Sequence, residues 1–363
     1  MALTDRDLVS IRDLSDSEIE AIFTVADDMM RYTRTALTVC AGRLLATLFY
    51  EPSTRTRLSF EAAMQRLGGD VISCADAKMS SVAKGETIAD TVRVVEGYAD
   101  VIVIRHPLEG SARVAADYAG VPVINAGDGA HEHPTQTLVD LFTIRRAKGA
   151  IRGVRVALCG DLKHGRTVHS LVQALARFGG EMVCVSPPGL EMPPAMVESL
   201  SAEGASITQA NSLDDLIGDV DVIYATRVQR ERFESEEEYE RVRQAFRITA
   251  DLLSRARRDA LVLHPLPRVD ELAYDIDDDP RAAYFQQAAD GVPVRMALLG
   301  VILGAVEASG AGAPQRPEPR EVAGVRCGNE RCVIAHEPYL TPRFTGGDGA
   351  PLRCAYCERE AST

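Results

Sequence analysis

The stretch RLLATLFYEPSTRTRLSFEAAMQRLGG, residues 43–69, decides the fold. Its first eight residues, 43–50, are a short apolar run that predicts a buried strand. From Arg55 the pattern is helical, and Gly68 and Gly69 stop it. Runs of the same kind follow at 70–75 (DVISCA), 100–106 (DVIVIRH) and 121–127 (VPVINAG), separated by helical patterns such as TIADTVRVVEGYA at 87–99. Short β-branched strands alternating with helices predict a parallel α/β sheet. Upstream, Ser15 and Glu18 form a capping box for a helix that buries Ile19, Ile22, Phe23 and Ala26.

After TQTLVDLFTIRRAKG (135–149) the pattern restarts with RVALCGD (155–161), EMVCVSPP (181–188), DVIYATR (221–227) and ALVLHPLP (260–267). A second α/β unit therefore begins near residue 150. The acidic segment 228–246 is expected to be a solvated mobile loop. Residues 292–308 predict a closing helix, and the Gly, Ala, Pro and charge content of 309–321 reads as a linker. The domains expected are 1–145, completed by helix 292–308, then 146–291, and after the linker a small domain at 322–363.

A chain of 363 residues is too long for one ordinary core and suits two domains with an appendage. The net charge of −13 argues against a nucleic-acid partner, so anionic ligands would need basic groups gathered in one cleft. No apolar stretch reaches the roughly 18 residues that span a bilayer, so no membrane partner is expected. The N-terminus carries charges where a signal peptide has its apolar core, which predicts a cytoplasmic protein. Cys40, Cys74, Cys159 and Cys184 are scattered and read as buried thiols of a reducing compartment.

Between the first strand and its helix stand Ser53, Thr54, Arg55, Thr56 and Arg57. Helix amides, hydroxyls and guanidiniums at a strand's carboxyl end suit an anion, although an ordinary Ser/Thr cap followed by surface arginines has the same spelling. Other strand ends carry similar donors: Arg105, His133 and Gln136 in the first half, Arg166, Arg227 and Gln229 in the second. Two such clusters suggest a small substrate with several negative charges. Neither a Walker-type lysine motif nor Gly-x-Gly-x-x-Gly follows these strands, so no nucleotide cofactor is expected.

The motifs FYEPSTRTRLSFE, KGETIADT, IRHP, HPTQTLVDLFTI, GDLKHGRTVHSL, TRVQRERF and HPLPRVDE resemble the aspartate carbamoyltransferase family, in order, from about residue 5 to 308. The resemblance implies the carbamoyltransferase fold, two doubly wound parallel-sheet domains, and transfer of the carbamoyl group of carbamoyl phosphate to L-aspartate in pyrimidine biosynthesis. A related family using ornithine typically has His-Cys-Leu-Pro where this chain has HPLP at 264–267, which favours aspartate; ornithine or a non-catalytic scaffold are the rival readings. By the same resemblance Ser53, Thr54, Arg55 and Thr56 would hold the phosphate. Thr56, Arg105 and His133 would point at the carbonyl oxygen, and Gln136 would hold the carbamoyl nitrogen. Carbonyls of Leu266 and Pro267 would orient the attacking amine beside it. Arg166, Thr167, Arg227 and Gln229 would bind aspartate. Ser80 and Lys84 resemble a loop that reaches both substrates in a neighbour's site, which implies a homotrimer with shared active sites. Glu51 resembles a residue that pairs with site arginines. No catalytic cofactor is implied.

The tail reads Cys327-x4-Cys332, 21 residues, then Cys354-x2-Cys357. Four thiolates in two close pairs suit structural tetrahedral zinc, an iron–sulfur cluster being the alternative. Metal would supply most of the folding energy of so small a segment, ~10–16 kcal/mol in comparable peptides. An isolated zinc ribbon defaults to nucleic acid, but Glu330, Glu337, Asp348, Glu358 and Glu360 offset its few basic residues. Residues 322–363 instead resemble the zinc domain of the aspartate carbamoyltransferase regulatory chain, which implies a docking module and a route to higher assembly. The linker is too short to hold the nucleotide-binding half of such a chain, so nucleotide feedback is not expected.

Overall fold

The structure, a computed structural model, describes residues 3–75, 84–210, 212–228, 235, 237, 239–240, 246–308, 310, 314, 316–347 and 350–361. It divides into two compact units, residues 1–135 with 292–363, and residues 136–291.

The first unit opens with α1 (Asp16–Met29), capped reciprocally by Ser15 and Glu18 as the sequence predicts. Ile19, Ile22, Phe23 and Ala26 are fully buried on one face. Then β1 (Leu44–Phe49), α2 (Thr54–Arg66), β2 (Asp70–Cys74), α3 (Ile88–Val95), β3 (Val101–His106), α4 (Ser111–Tyr118) and β4 (Val123–Asp128) alternate. The four strands form a parallel sheet in the order β2-β1-β3-β4. β3 and β4 are buried throughout and β1 nearly so, which is why they read as continuous apolar runs. α2 stops because Gly68 takes a φ of +86°, where a Cβ would collide with the carbonyl oxygen of Leu37.

The helix α5 (Pro134–Lys148) leads to the second sheet, built from β5 (Arg155–Cys159), β6 (Glu181–Val185), β7 (Ser206–Ala210), β8 (Val222–Ala225) and β9 (Leu261–Leu263). It is parallel, in the order β7-β6-β5-β8-β9. Helices α6 (Arg166–Arg177), α7 (Pro194–Ala202) and α8 (Ala250–Ser254) connect it, and α9 (Tyr284–Ile302) closes the α/β region. β7 has no counterpart in the sequence reading, because an edge strand spelled SITQA, half exposed, lacks a continuous apolar run. α9 starts at Tyr284 rather than 292, so that Gly291 as well as Pro293 lies inside it. It ends at Ile302 rather than 308, where Gly304 turns the chain at φ +64°. Most of the acidic segment 228–246, read as a mobile loop, lies outside the described residues.

The C-terminal segment carries a hairpin of β10 (Phe344–Gly347) and β11 (Ala350–Cys354). Its Val333, Leu340, Phe344 and Tyr356 share one hydrophobic core with Leu48, Val92, Ile104 and Ala115 of the first unit.

Candidate active site and metal centre

In the first sheet the chain leaves β1 towards β2 on one side and β3 towards β4 on the other, so β1 and β3 flank a topological switch point. Ligands of open α/β sheets bind outside the carboxyl ends of strands at such a point. Here β1 leads to Ser53 at the N-cap of α2, in extended conformation, with no side-chain capping bond and no acidic residue in the first turn. The positive end of the helix thus has no acidic residue of its own turn beside it. Thr54 and Arg55 are exposed on that turn, whereas Thr56 points inward and is buried. Its Oγ1 lies 3.5 Å from Nε2 of His133, and Nδ1 of His133 lies 3.4 Å from Oγ1 of Thr135. At the end of β3, Arg105 donates to Glu51 at 2.7 Å and to the carbonyl of Ala126 at 3.1 Å. The structure therefore joins Thr56 to His133 and Arg105 to Glu51. Lys84 is exposed, and Ser80 lies outside the described residues.

In the second sheet the switch point falls between β5 and β8. Thr226 ties the two strand ends together, donating from its hydroxyl to the carbonyl of Cys159 at 2.9 Å. Arg166 begins α6 just after β5, with Thr167 next to it, and Arg227 follows Thr226. Gln229 lies outside the described residues. Gln136, on the first turn of α5, donates to Asp140 at 2.8 Å. Leu266 takes a left-handed φ of +52° and donates its N–H to Nδ1 of His264 at 2.7 Å; the Leu266–Pro267 peptide is cis. His264 itself pairs with Glu271 at 2.8 Å. Burial alone would push the Glu271 carboxyl up, but His264 and nearby backbone N–H groups outweigh it and hold it below the usual range.

In the tail, Cys327, Cys332, Cys354 and Cys357 offer sulfur atoms that all lie within 4.8 Å of one another. Sγ of Cys327 and Cys357 are 3.6 Å apart, and those of Cys332 and Cys354 are 3.8 Å apart. Thiolates at ~2.3 Å from one tetrahedral ion stand ~3.8 Å from each other, so the four residues fit a metal. The segment docks on the turn before α4 of its own chain. Glu109 N–H donates to Arg331 O at 3.0 Å and Val333 N–H to Glu109 O at 2.8 Å. The fully buried Glu109 carboxylate takes two bonds from Arg359, both 2.9 Å, and one from Asn329 at 2.7 Å.

Residues 6–146 match the family model "Aspartate/ornithine carbamoyltransferase, carbamoyl-P binding domain", and residues 152–302 match its "Asp/Orn binding domain". Residues 320–363 match "Aspartate carbamoyltransferase regulatory chain, metal binding domain". An aspartate carbamoyltransferase catalytic subunit of Methanopyrus kandleri is 53% identical over 305 residues, covering 84% of this chain and 99% of the relative. The chain belongs to the aspartate carbamoyltransferase family. Among solved structures, the catalytic subunit of the M. jannaschii aspartate transcarbamoylase superposes with a TM-score of 0.77 at 52% identity, covering 81% of this chain and 96% of that one. The Trypanosoma cruzi enzyme in complex with N-(phosphonacetyl)-L-aspartic acid gives a TM-score of 0.78 at 40% identity, covering 83% and 97%. These catalytic-subunit matches cover about four fifths of the chain, and the cysteine segment has its own match to a regulatory chain.

In this member of the aspartate carbamoyltransferase family, the loop that delivers His133 is held by groups the sequence reading did not single out. Asp128, at the end of β4, accepts from Gly110 N–H at 2.8 Å, Asn125 Nδ2 at 3.0 Å and Glu132 N–H at 3.1 Å. Glu132 in turn accepts from Ser10 and the Ile11 N–H, 121 residues away along the chain. His131 lies between Asp128, at 3.0 Å, and Glu358 of the tail, at 3.9 Å. Burial opposes its charge, but these carboxylates outweigh burial and raise its pKa well above the ordinary imidazole value. Arg12 and Arg316 pair with the same Glu358. Asn125, His131 and Glu132 are close neighbours of Asp128 in the chain, but nothing in the spacing could reveal Ser10, Gly110 or Glu358 as partners of this loop.

Proposed function

We infer that this chain transfers the carbamoyl group of carbamoyl phosphate to the amine of L-aspartate, giving N-carbamoyl-L-aspartate and phosphate. The observation that carries the reading is the grouping of Thr56 with His133, beside an α2 N-terminus whose Ser53 makes no cap, at the switch point where Arg105 also emerges. Ser53, Thr54, Arg55 and Thr56 hold the phosphate. Thr56, Arg105 and His133 stabilise the oxyanion, and Gln136 accepts from the carbamoyl nitrogen. Arg166, Thr167, Arg227 and Gln229 hold the two carboxylates of aspartate, and the carbonyls of Leu266 and Pro267 orient its amine. Ser80 and Lys84 enter from a neighbouring subunit of a homotrimer.

The neutral amine attacks the carbonyl carbon, a C–N bond forms, and charge develops on the carbonyl oxygen. The C–O bond to phosphate then breaks, and the departing phosphate takes the amine proton. Donors already aimed at the oxygen favour the transition state over the ground state, and losing one such donor typically costs ~10²–10³ in kcat. Fixed cations offset the repulsion between the two anionic substrates, and the remaining gain is orientation. A metal does not enter these steps: the four tail cysteines would hold zinc as a structural ion that knits the segment together. No described helix is long and apolar enough to cross a membrane. The decisive assay supplies purified protein with carbamoyl phosphate and either aspartate or ornithine. Carbamoyl-aspartate is the expected product; citrulline, or no product from either acceptor, rejects the reading.

A further inference from the structure

The fully buried carboxylate of Asp140, one helical turn beyond Gln136 on α5, takes no part in the steps above. Its Oδ1 accepts from Gln136 Nε2 at 2.8 Å and Gln287 Nε2 at 2.6 Å, and its Oδ2 from the Tyr224 hydroxyl at 2.8 Å. An ionised carboxylate can only accept, so the edge of the Gln136 amide that meets it must be the nitrogen. The planar amide then carries its oxygen on the other edge, away from Asp140. Gln287 obeys the same rule: with its nitrogen on Asp140, its Oε1 accepts the backbone N–H of His264 at 2.8 Å. His264 opens the turn that carries Leu266 and Pro267, and its ring takes the Leu266 N–H at 2.7 Å. One carboxylate thus sets the direction of two amides. Tyr224 acts as a third donor, its phenol held protonated first by burial and then by the carboxylate itself.

We propose that Asp140 is a positioning residue that fixes the polarity of the Gln136 amide, so that the site presents an acceptor to the NH2 of carbamoyl phosphate, and that through Gln287 it steadies the His264–Pro267 turn. The chemistry is directional. A carbamoyl nitrogen has two hydrogens to donate, so a glutamine turned the other way would oppose N–H to N–H. The inference rests on the assignment of Gln136 to that nitrogen made above, and the experiment separates the two.

The readout is discrimination between carbamoyl phosphate and acetyl phosphate, which has a methyl in place of the amino group. It is taken as the KM of the first against the inhibition constant of the second. Asp140→Asn can turn its own NH2 towards Gln136 and release the amide polarity; the discrimination should fall roughly tenfold, the scale of one buried hydrogen bond. Gln136→Leu should lose a similar factor, Asp140→Asn should add little in the Gln136→Leu background, and Asp140→Glu, which keeps an acceptor-only end, should restore much of it. If Gln136→Leu loses discrimination while Asp140→Asn keeps it within about twofold, or weakens both donors equally, the role of Asp140 is overturned and Gln136 stands. If Gln136→Leu itself discriminates as well as wild type, the assignment of Gln136 is what fails. Neutron diffraction from deuterated wild-type crystals needs no variant. Deuterons on the Gln136 atom facing Asp140 support the proposal, and a bare oxygen there overturns it.

Discussion

A single histidine shows how burial turns into a pH dependence. His106, at the end of β3, is 8% exposed, packs edge-on to Tyr50 with ring centroids 5.5 Å apart, and accepts the Leu108 N–H on Nδ1 at 3.1 Å. Burial, opposed in part by Asp128 and Glu51, pushes its pKa down from 6.5 to about 4. The unfolded chain takes up a proton near 6.5 and the folded one only near 4, so the contribution is complete above pH 6.5 and is lost as pH falls from 6.5 to 4. The loss amounts to about 3 kcal/mol at most. Urea midpoints followed from pH 7 to 4 should fall in wild type and fall less in His106→Asn, which keeps an acceptor near Nδ1. The same residue scale divides what was legible. Thr56, Arg105 and His133 stand out because donors at strand ends are chemically conspicuous in a sequence. Asp128, Asp140 and Tyr224 do not, since an acid on a helix or a tyrosine in a strand is ordinary until its partner is known.

At the scale of elements, the tail is the distinctive piece. Its docking depends on the turn before α4, where Gly110 takes a φ of +87° and a Cβ would sit 2.7 Å from Cβ of Tyr356 and 2.8 Å from its carbonyl carbon. Gly110→Ala should therefore loosen the segment through strain and crowding together, by roughly 1–3 kcal/mol. Limited proteolysis within 309–321 should become faster than in wild type, and an unchanged rate contradicts tight docking. Removing the metal tests the same element from inside. A mercurial thiol reagent with a chelator should release one zinc per chain and expose the part of the core formed by Val333, Leu340, Phe344 and Tyr356. The thermal midpoint should fall by roughly 5 °C or more, and release of metal with no shift would mean that the segment folds without it. Element boundaries were readable where an apolar period met a breaker, as at Ser15 and Gly68. They were misread at α9, where tertiary packing carries a helix across Gly291 and Pro293.

For the whole molecule, the two α/β units repeat one logic: a parallel sheet, a reversal of strand order, and basic groups at the strands on either side of it. Leu58, Ile72, Val94 and Tyr98 of the first unit are exposed. The proposed shared-site trimer makes a sharp prediction. Arg55→Ala and Lys84→Ala should each lower activity ~10²-fold or more. Mixing the two after subunit exchange should restore part of the wild-type rate, because some sites then receive Arg55 from one chain and Lys84 from its neighbour. Proven exchange with no recovery rules out a site shared between chains. Arg55 lies exposed on the first turn of α2, so its loss should leave the unfolding midpoint unchanged.

By itself the sequence determined the alternation of strands and helices and the paired cysteines, because each depends on residues close together in the chain. Apolar period, glycine stops and cysteine spacing are local signals. Only the tertiary structure decided that the cysteine segment docks on Glu109 and Gly110 of its own chain, that His131 joins Asp128 to Glu358, and that Asp140 gathers Gln136, Tyr224 and Gln287. Those bonds reach as far as 250 residues along the chain, and buried polar groups find such partners only once the core has brought them together.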